Sequence, residues 1–162
     1  MSEPKIRKAR KQDISRIAEL IVFGKRTAYR DIFKDDIGSF KDLQVLPVAE
    51  EILANRELLE SMTVYDDGII KGVIAAQISG KTAEISDFYV EPVFKENGIG
   101  RALMEHVIME LKESGIQKVF LWVLQENLSA RRFYEAFGFR ATGETGLIEG
   151  TKIVDMYYEL LL

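Results

Sequence analysis

The spacing of apolar residues changes character several times along the first half of the chain, and each change predicts a different element. After a predicted strand over 5–10, apolar residues recur at helical spacing from 14 to 21, with Asp13 placed to cap the helix. Between 24 and 46 they are scattered among charges, which predicts an irregular stretch suited to shaping a pocket. Segment 48–62 returns to helical spacing and predicts a second helix.

A three-strand meander is predicted next. Segments 63–65 and 69–78 read as strands joined by a turn at Gly68, because an Asp-Gly pair supplies the positive φ that a tight hairpin needs. A second turn leads into a strand over 82–90, which ends before Pro92, since proline has no N–H to donate to a sheet.

The remainder of the chain alternates helices and strands. Apolar spacing predicts a helix over 99–111 and another over 128–137, separated by a β-branched and aromatic strand over 119–124. Segments 139–141 and 153–161 supply two closing strands. The order of elements therefore predicts a mixed α/β domain.

Composition limits which classes of protein and which kinds of site the chain can form. A chain of 162 residues with 47% hydrophobic and 30% charged residues fits one globular domain, spanning 1–162. A net charge of -4 gives no positive excess for nucleic acid or anionic lipid, and no leader or membrane-length apolar run is visible, so we expect a cytoplasmic protein. Without cysteine and with a single histidine, we expect no disulfide, no cysteine nucleophile and no metal site.

The segment between Val90 and Arg101 runs from a strand end through a loop into a helix start. The first N–H groups of a helix have no partner within it, and glycines let the chain pass close to a ligand, so Gly98 and Gly100 suit a pyrophosphate; a positive φ is expected at Gly100. Lys95 and Arg101 add positive charge. A Gly-x-Gly pair is equally typical of a tight turn that binds nothing, and the segment matches neither a P-loop nor the dinucleotide fingerprint.

A second segment lies downstream, with Asn127 followed by Phe-Tyr-x-x-x-Gly-Phe from Phe133 to Phe139. Together the two segments, over residues 83–139, resemble the acetyl-CoA-binding core of the GNAT superfamily. The resemblance implies the α/β (α+β) GNAT fold, a mixed, mainly antiparallel twisted sheet of six to seven strands with about four helices on both faces.

The resemblance also implies an activity and a binding site. The activity is acetyl-CoA-dependent N-acetylation by direct transfer to a primary amine of a small molecule or a protein N-terminus. Lys95 stands where the family usually has Arg or Gln, and Asn97 stands where Gly is common. These two departures affect the expected affinity for CoA and not the assignment to the family. The implied cofactor-binding residues are Phe88, Tyr89, Val90, Lys95, Glu96, Asn97, Gly98, Ile99, Gly100, Arg101, Asn127 and Tyr134.

Two catalytic groups follow from the same resemblance. The main-chain N–H of Phe88 donates to the thioester carbonyl where strands four and five separate, and Tyr134 protonates the departing thiolate. An amine with a pKa near ~10.4 must also lose a proton before it attacks. Tyr134 also fits a purely structural role beside Phe133 and Phe137, and Asn127 fits that of a helix N-cap.

Glu84 is the predicted general base. Simple strand alternation places Glu84, Ser86, Phe88 and Val90 on one face, which brings Glu84 to the side of the carbonyl site. The alternative is an ordinary solvent-facing carboxylate, with Asp87 and Glu91 as reserve candidates. His106 within its helix fits a structural role better than a catalytic one.

Two rival functions use the same motifs. One is an acyl-CoA-binding module without turnover, and the other is a nucleotide or phosphate binder that uses only the glycine loop. The partners expected are acetyl-CoA and an amine acceptor, with neither nucleic acid nor membrane, and a homodimer is possible. The acidic balance of the chain favours a cationic amine as the acceptor.

Overall fold

The computed structural model describes residues 5–162, and the first four residues of the predicted domain lie outside this range. The described part folds into seven strands of one sheet and five α-helices. The strands are β1 (Ile6–Lys8), β2 (Met62–Asp66), β3 (Ile70–Ser79), β4 (Thr82–Val90), β5 (Lys118–Leu124), β6 (Arg140–Leu147) and β7 (Val154–Leu161). The helices are α1 (Ile14–Phe33), α2 (Val45–Ala54), α3 (Arg56–Glu60), α4 (Ile99–Glu113) and α5 (Leu128–Phe137).

The sheet has the order β1-β2-β3-β4-β5-β7-β6. Every neighbouring pair is antiparallel except β4 and β5, which run parallel. One face packs on α4 around Leu103 and Leu121, and the other packs on α1 and α2 around Ile17 and Ile52. The predicted mixed, mainly antiparallel sheet with helices on both faces is confirmed.

Helix α1 is longer than predicted, because it continues through Gly24 to Phe33. A Cβ atom at Gly24 would clash with the Tyr89 ring on β4, so the glycine lets the helix pass close over the sheet without ending it. The helix stops at Lys34, which adopts a left-handed conformation with a φ of 52°. The prediction of an irregular stretch from residue 24 was therefore wrong for its first ten residues.

Other boundaries also moved. The single helix predicted over 48–62 is divided into α2 and α3 at Asn55, whose side chain accepts a hydrogen bond from the Leu58 N–H at 3.1 Å and so begins a new helix. Strand β6 reaches Leu147, six residues beyond the predicted strand over 139–141.

A β-bulge in β4 decides which side chains face which helix layer. Ala75 on β3 pairs with Asp87, and Ala76 pairs with Ile85, so Ser86 is an extra residue without an opposite partner. The bulge inverts the alternation beyond it. Ala83, Ile85, Phe88 and Val90 pack against the α4 side, whereas Glu84, Asp87 and Tyr89 lie on the α1 side.

Strands β4 and β5 pair only over a short distance. Their register runs from Thr82 opposite Lys118 to Glu84 opposite Phe120, and no pair follows. The predicted separation of these two strands is confirmed. The gap that opens beyond Glu84 lies beside the loop that leads into α4.

Candidate active site

The loop before α4 presents a row of free donors. Within residues 5–162, none of the six main-chain N–H groups from Glu96 to Arg101 has a protein acceptor, and Gly98 at the N-cap supplies no capping side chain. Glu96 and Gly98 have positive φ angles of 68° and 76°, which turn the chain sharply. Such an arrangement fits the pyrophosphate of a CoA-like ligand.

Gly100 differs from the expectation, because it lies inside α4 without a positive φ. A Cβ atom there would lie 3.3 Å from the Phe88 ring. Close packing between α4 and β4 therefore explains this glycine, and Gly98 supplies the left-handed turn.

The loop's side chains remain near its surface. Lys95 is exposed, and the guanidinium of Arg101 donates to Glu105 at 2.8 Å while its side chain stays 75% exposed. Asn97 donates to the carbonyl of Phe94 at 3.2 Å. This hydrogen bond stabilises the loop at the position where the family commonly has Gly.

Main-chain N–H groups of β4 point into the gap between β4 and β5. Glu91 donates its N–H to Lys71 on β3 at 2.8 Å, and in an antiparallel ladder the bonded residues alternate. Tyr89 therefore bonds towards β3, while the N–H groups of Phe88 and Val90 point to the β5 side, where the neighbouring strand has moved away.

Tyr134 on α5 lies beside this gap. Its ring centroid is 6.4 Å from that of Phe88 and 5.8 Å from that of Phe139. Asn127 caps α5 by accepting the Ala130 N–H at 3.3 Å, as predicted. Burial raises the pKa of the Tyr134 phenol well above its usual range, with a smaller contribution from Tyr29, so the phenol keeps its proton near neutral pH.

A cavity of about 270 Å³ opens on the α1 side of the same gap. A smaller cavity of about 190 Å³ adjoins it and shares Lys25, Tyr29 and Phe33. Both cavities use residues between 24 and 46, which confirms that this segment shapes a pocket. The larger cavity is lined by Lys25, Tyr29, Phe33, Ser86, Asp87, Tyr89, Trp122, Leu124, Ile148 and Asp155.

The Asp87 carboxylate lies in this cavity without a charged or hydrogen-bonding partner. Burial raises the pKa of its carboxyl, Lys25 opposes that shift, and Glu51 adds to it. Within the described range its carboxylate has neither an ion-pair nor a hydrogen-bond partner. Next to it, burial also raises the pKa of Tyr89, whose hydroxyl lies 3.5 Å from that of Tyr29. A desolvated, unpaired carboxylate is suited to accepting a proton.

The structure separates the three carboxylates proposed as the base. Glu84 does not line the cavity, and its predicted position on the face of Phe88 was wrong because the bulge at Ser86 inverts the alternation. Glu91 forms an ion pair with Arg16, with 2.9 Å between the guanidinium nitrogen and the carboxylate oxygen. Of these three, only Asp87 lines the cavity.

Two charged residues in the cavity were missed by the sequence analysis. Lys25 comes from the part of α1 that was predicted to be irregular, and Asp155 lies on β7 opposite Leu124. Alternation along β7 could have placed Asp155 on the α1 face, but its distance to Asp87 depends on the sheet order. His106 is partly exposed, with its Nε2 3.6 Å from Glu110, outside the cavity.

Two features of residues 5–162 concern metal ions and membranes. The described chain has no group of three or more His, Cys, Asp or Glu side chains arranged to hold a metal ion. None of its helices combines the length and apolar character that crossing a membrane requires.

The sequence model of the acetyltransferase (GNAT) family matches residues 25–139. The chain therefore belongs to the GNAT acetyltransferase family. It is 33% identical over 95 residues to the [ribosomal protein bS18]-alanine N-acetyltransferase of Escherichia coli, a match that covers 57% of this chain and 64% of that protein. The match thus spans less than two thirds of that relative's length.

Two other comparisons extend over more of the chain. An uncharacterized N-acetyltransferase of Mycobacterium bovis is 34% identical over 113 residues, covering 67% of this chain and 70% of that protein. The crystal structure of the PaiA N-acetyltransferase of Thermoplasma acidophilum in complex with coenzyme A superposes with a TM-score of 0.75 at 20% identity. It covers 97% of this chain and 98% of that one, and it shows that the fold is shared.

Proposed function

We propose that the protein transfers an acetyl group directly from acetyl-CoA to a primary amine. One observation carries the proposal: the gap between β4 and β5 connects the donor-rich loop before α4 with a cavity that contains an unpaired carboxylate, Asp87. A thioester can reach this gap from one side and an amine from the other. Membership of the GNAT family and the CoA complex of a structural neighbour support the choice of donor.

CoA binding in this proposal relies mainly on the main chain. The N–H groups from Glu96 to Arg101 bind the pyrophosphate, and the pantetheine arm lies in the gap alongside β4. Lys95 adds a positive charge at the loop, and Asn127 fixes the start of α5. Lys95 replaces a longer guanidinium or an amide at this position without removing the donors that bind phosphate.

The chemistry requires a neutral nucleophile. Asp87 accepts a proton from the incoming ammonium, and the free amine then attacks the thioester carbon. The Phe88 N–H donates to the carbonyl oxygen, where negative charge develops. As the carbon–sulfur bond breaks, Tyr134 donates its hydroxyl proton to the thiolate and is reprotonated by the proton that the attacking nitrogen then loses, and Asp87 releases the first proton to solvent. The products are an N-acetylated amine and the CoA thiol.

The acceptor belongs to the primary amines, and the relatives offer one specific candidate. The E. coli relative is named for the alanine of a ribosomal protein, so a protein N-terminus is one acceptor to test beside small amines. Both kinds of acceptor present a nitrogen at the end of a chain, which suits a cavity that opens on one side of the sheet.

Amine-dependent release of the CoA thiol tests the proposal. We expect release from acetyl-CoA with some primary amines and a fall in kcat of about 10²-fold in Tyr134→Phe, because general acid catalysis is typically worth 10²–10⁴. Acetyl-CoA at ~100 times its Kd should stabilise the fold by about 2.7 kcal/mol. Stabilisation without turnover on any amine would support a silent CoA-binding module, and equal stabilisation by ATP would support a nucleotide binder.

A further inference from the structure

The Tyr134 phenol depends on its helix for its position. Within residues 5–162 its hydroxyl forms no hydrogen bond, and its ring packs against the rings of Phe88, Phe133 and Phe139. Ring contacts of this kind do not direct a hydroxyl towards a chosen atom, so the placement of α5 decides where the hydroxyl lies. A misplacement of ~1 Å can lower a rate by about 10²-fold.

Helix α5 is attached to the sheet through a buried hydroxyl. None of the ten residues of α5 is fully buried. Tyr158 on β7, by contrast, is 0% exposed, and its hydroxyl lies between two side chains of α5. The hydroxyl accepts a hydrogen bond from Nε of Arg131 at 3.0 Å and donates one to Oε1 of Glu135 at 2.7 Å. One sheet residue is therefore bonded to two successive turns of the helix.

Arg131 extends this attachment to β5. Its Nη1 donates to the main-chain carbonyl of Gln125 at 2.9 Å, directly after the end of β5. Strand β5 also pairs with β7, where Leu121 lies opposite Tyr158. The hydroxyl and the guanidinium together fix α5 relative to two neighbouring strands. One of these strands, β5, borders the gap in which the thioester is proposed to lie.

The bonds of the Tyr158 hydroxyl are of the strong kind. Each has a charged partner, and such bonds are shorter and stronger than those between neutral groups. Without the hydroxyl, aromatic packing and the bond from Arg131 to the end of β5 would hold α5. Resting on the proposed function, we propose that Tyr158 is a positioning residue, which fixes α5 through Arg131 and Glu135 and so places Tyr134 beside the departing thiolate.

Removal of the hydroxyl alone tests this inference. Tyr158→Phe keeps the buried ring, and we expect kcat to fall about tenfold while the KM for acetyl-CoA stays within about twofold, because the pyrophosphate donors lie on the loop before α4. Tyr157→Phe is the matched control and should retain kcat. Tyr157 is the adjacent residue on β7, its ring stacks on Phe120, and within residues 5–162 its hydroxyl forms no hydrogen bond.

Coupling to Tyr134 distinguishes positioning from a general structural role. In a Tyr134→Phe background, Tyr158→Phe should change kcat less than twofold, because the proton donor that it places is already absent. Glu135→Ala should lower kcat about tenfold, whereas Glu135→Gln should retain it, since an amide oxygen still accepts from the Tyr158 hydroxyl. Wild-type kcat in Tyr158→Phe would overturn the inference, as would an equal fall in both backgrounds.

Amide hydrogen exchange tests the attachment of α5 without turnover. The amides of α5 should exchange faster in Tyr158→Phe than in Tyr157→Phe, and those of α4 should be unchanged. Equal exchange of α5 in the two variants would also overturn the inference. Each of these contrary results leaves thiol release by the wild-type protein intact, whereas failure of the proposed function appears as no thiol release with any amine.

Discussion

Asp13 is a buried carboxylate and Asp87 a partly buried one, and their surroundings differ in opposite ways. Asp13 accepts hydrogen bonds from the Arg7 guanidinium at 2.8 and 3.1 Å and from the Arg10 N–H at 2.7 Å. Burial alone raises the pKa of Asp13, but these donors bring it below the usual range. Asp87 has no such donors, and burial leaves its pKa raised. The first carboxylate stabilises the fold, and the second is the proposed general base.

The two shifts have opposite consequences for stability. A carboxyl with a lowered pKa in the folded state adds stability above its unfolded pKa, and this is lost as the pH falls through the folded value. A carboxyl with a raised pKa makes the folded state bind its proton more tightly. Stability then decreases as the pH rises from the unfolded value through the folded value. At neutral pH, Asp13 stabilises the protein and Asp87 destabilises it.

The largest effect is expected from Asp87→Asn. Loss of the base should lower kcat/KM by roughly 10²- to 10³-fold, within the range of general base catalysis. The same variant should melt at a higher temperature than wild type at pH 7, because a buried charge without a partner has been removed. Steady-state kinetics and a thermal melt check the two expectations.

Glu84→Gln is the control for that variant, because Glu84 lies on the same strand and face but outside the cavity. We expect it to retain kcat/KM within about twofold, since surface substitutions away from a site usually have small effects. A large loss of activity in Glu84→Gln, with full activity in Asp87→Asn, would mean that Glu84 is the general base, as the sequence predicted.

Asp13→Asn should destabilise the protein by about 2–3 kcal/mol at pH 7, because the Arg7 charge loses a hydrogen-bonded partner in a site where Asp13 is only 5% exposed. The difference from wild type should shrink below about pH 3.9, where the unfolded carboxyl takes up its proton. Urea unfolding at both pH values measures this. Glu60→Gln, whose pair with Arg56 is on the surface, should change little.

Gly98→Ala and Gly115→Ala form a matched pair at the two ends of α4. Both glycines have a positive φ, 76° and 81°, and an added Cβ atom meets nothing within 4 Å at either position. Each variant should lose about 1 kcal/mol of stability. Only Gly98→Ala should also bind CoA about tenfold more weakly, because it disturbs the donor-rich loop. Calorimetry that finds equal CoA affinity in both would make the loop purely structural.

The smallest effect is expected at Thr63 on β2. Its hydroxyl is buried without a hydrogen-bond partner in the described structure, and the residue is 1% exposed. Thr63→Val keeps the shape and removes the unsatisfied group, so stability should rise by about 1 kcal/mol. Thr63→Ser keeps the hydroxyl and should not gain. A loss of stability in the valine variant would mean that the hydroxyl has a partner, such as a water molecule.

Sequence patterns predicted most of the helices and strands and their order along the chain. The stripe of α4, the meander and the order of the final elements follow from local spacing, which depends on neighbours in the chain. Three features escaped because they depend on contacts between distant residues. Gly24 lies within α1 where the helix passes close to Tyr89, the bulge at Ser86 inverts the face of Glu84, and Asp155 reaches the cavity only through the order of β5 and β7.

The dependence of kcat/KM on pH, with one acetylated amine, tests the central claim most directly. If Asp87 takes the proton, wild-type activity should rise with pH through an acidic limb at a higher pH than an ordinary aspartate shows, because burial raises the Asp87 pKa. Asp87→Asn should lose that limb and recover partly at alkaline pH, where free amine accumulates. An Asp87→Asn protein that retains the wild-type limb and rate across pH 6 to 9 would contradict the account.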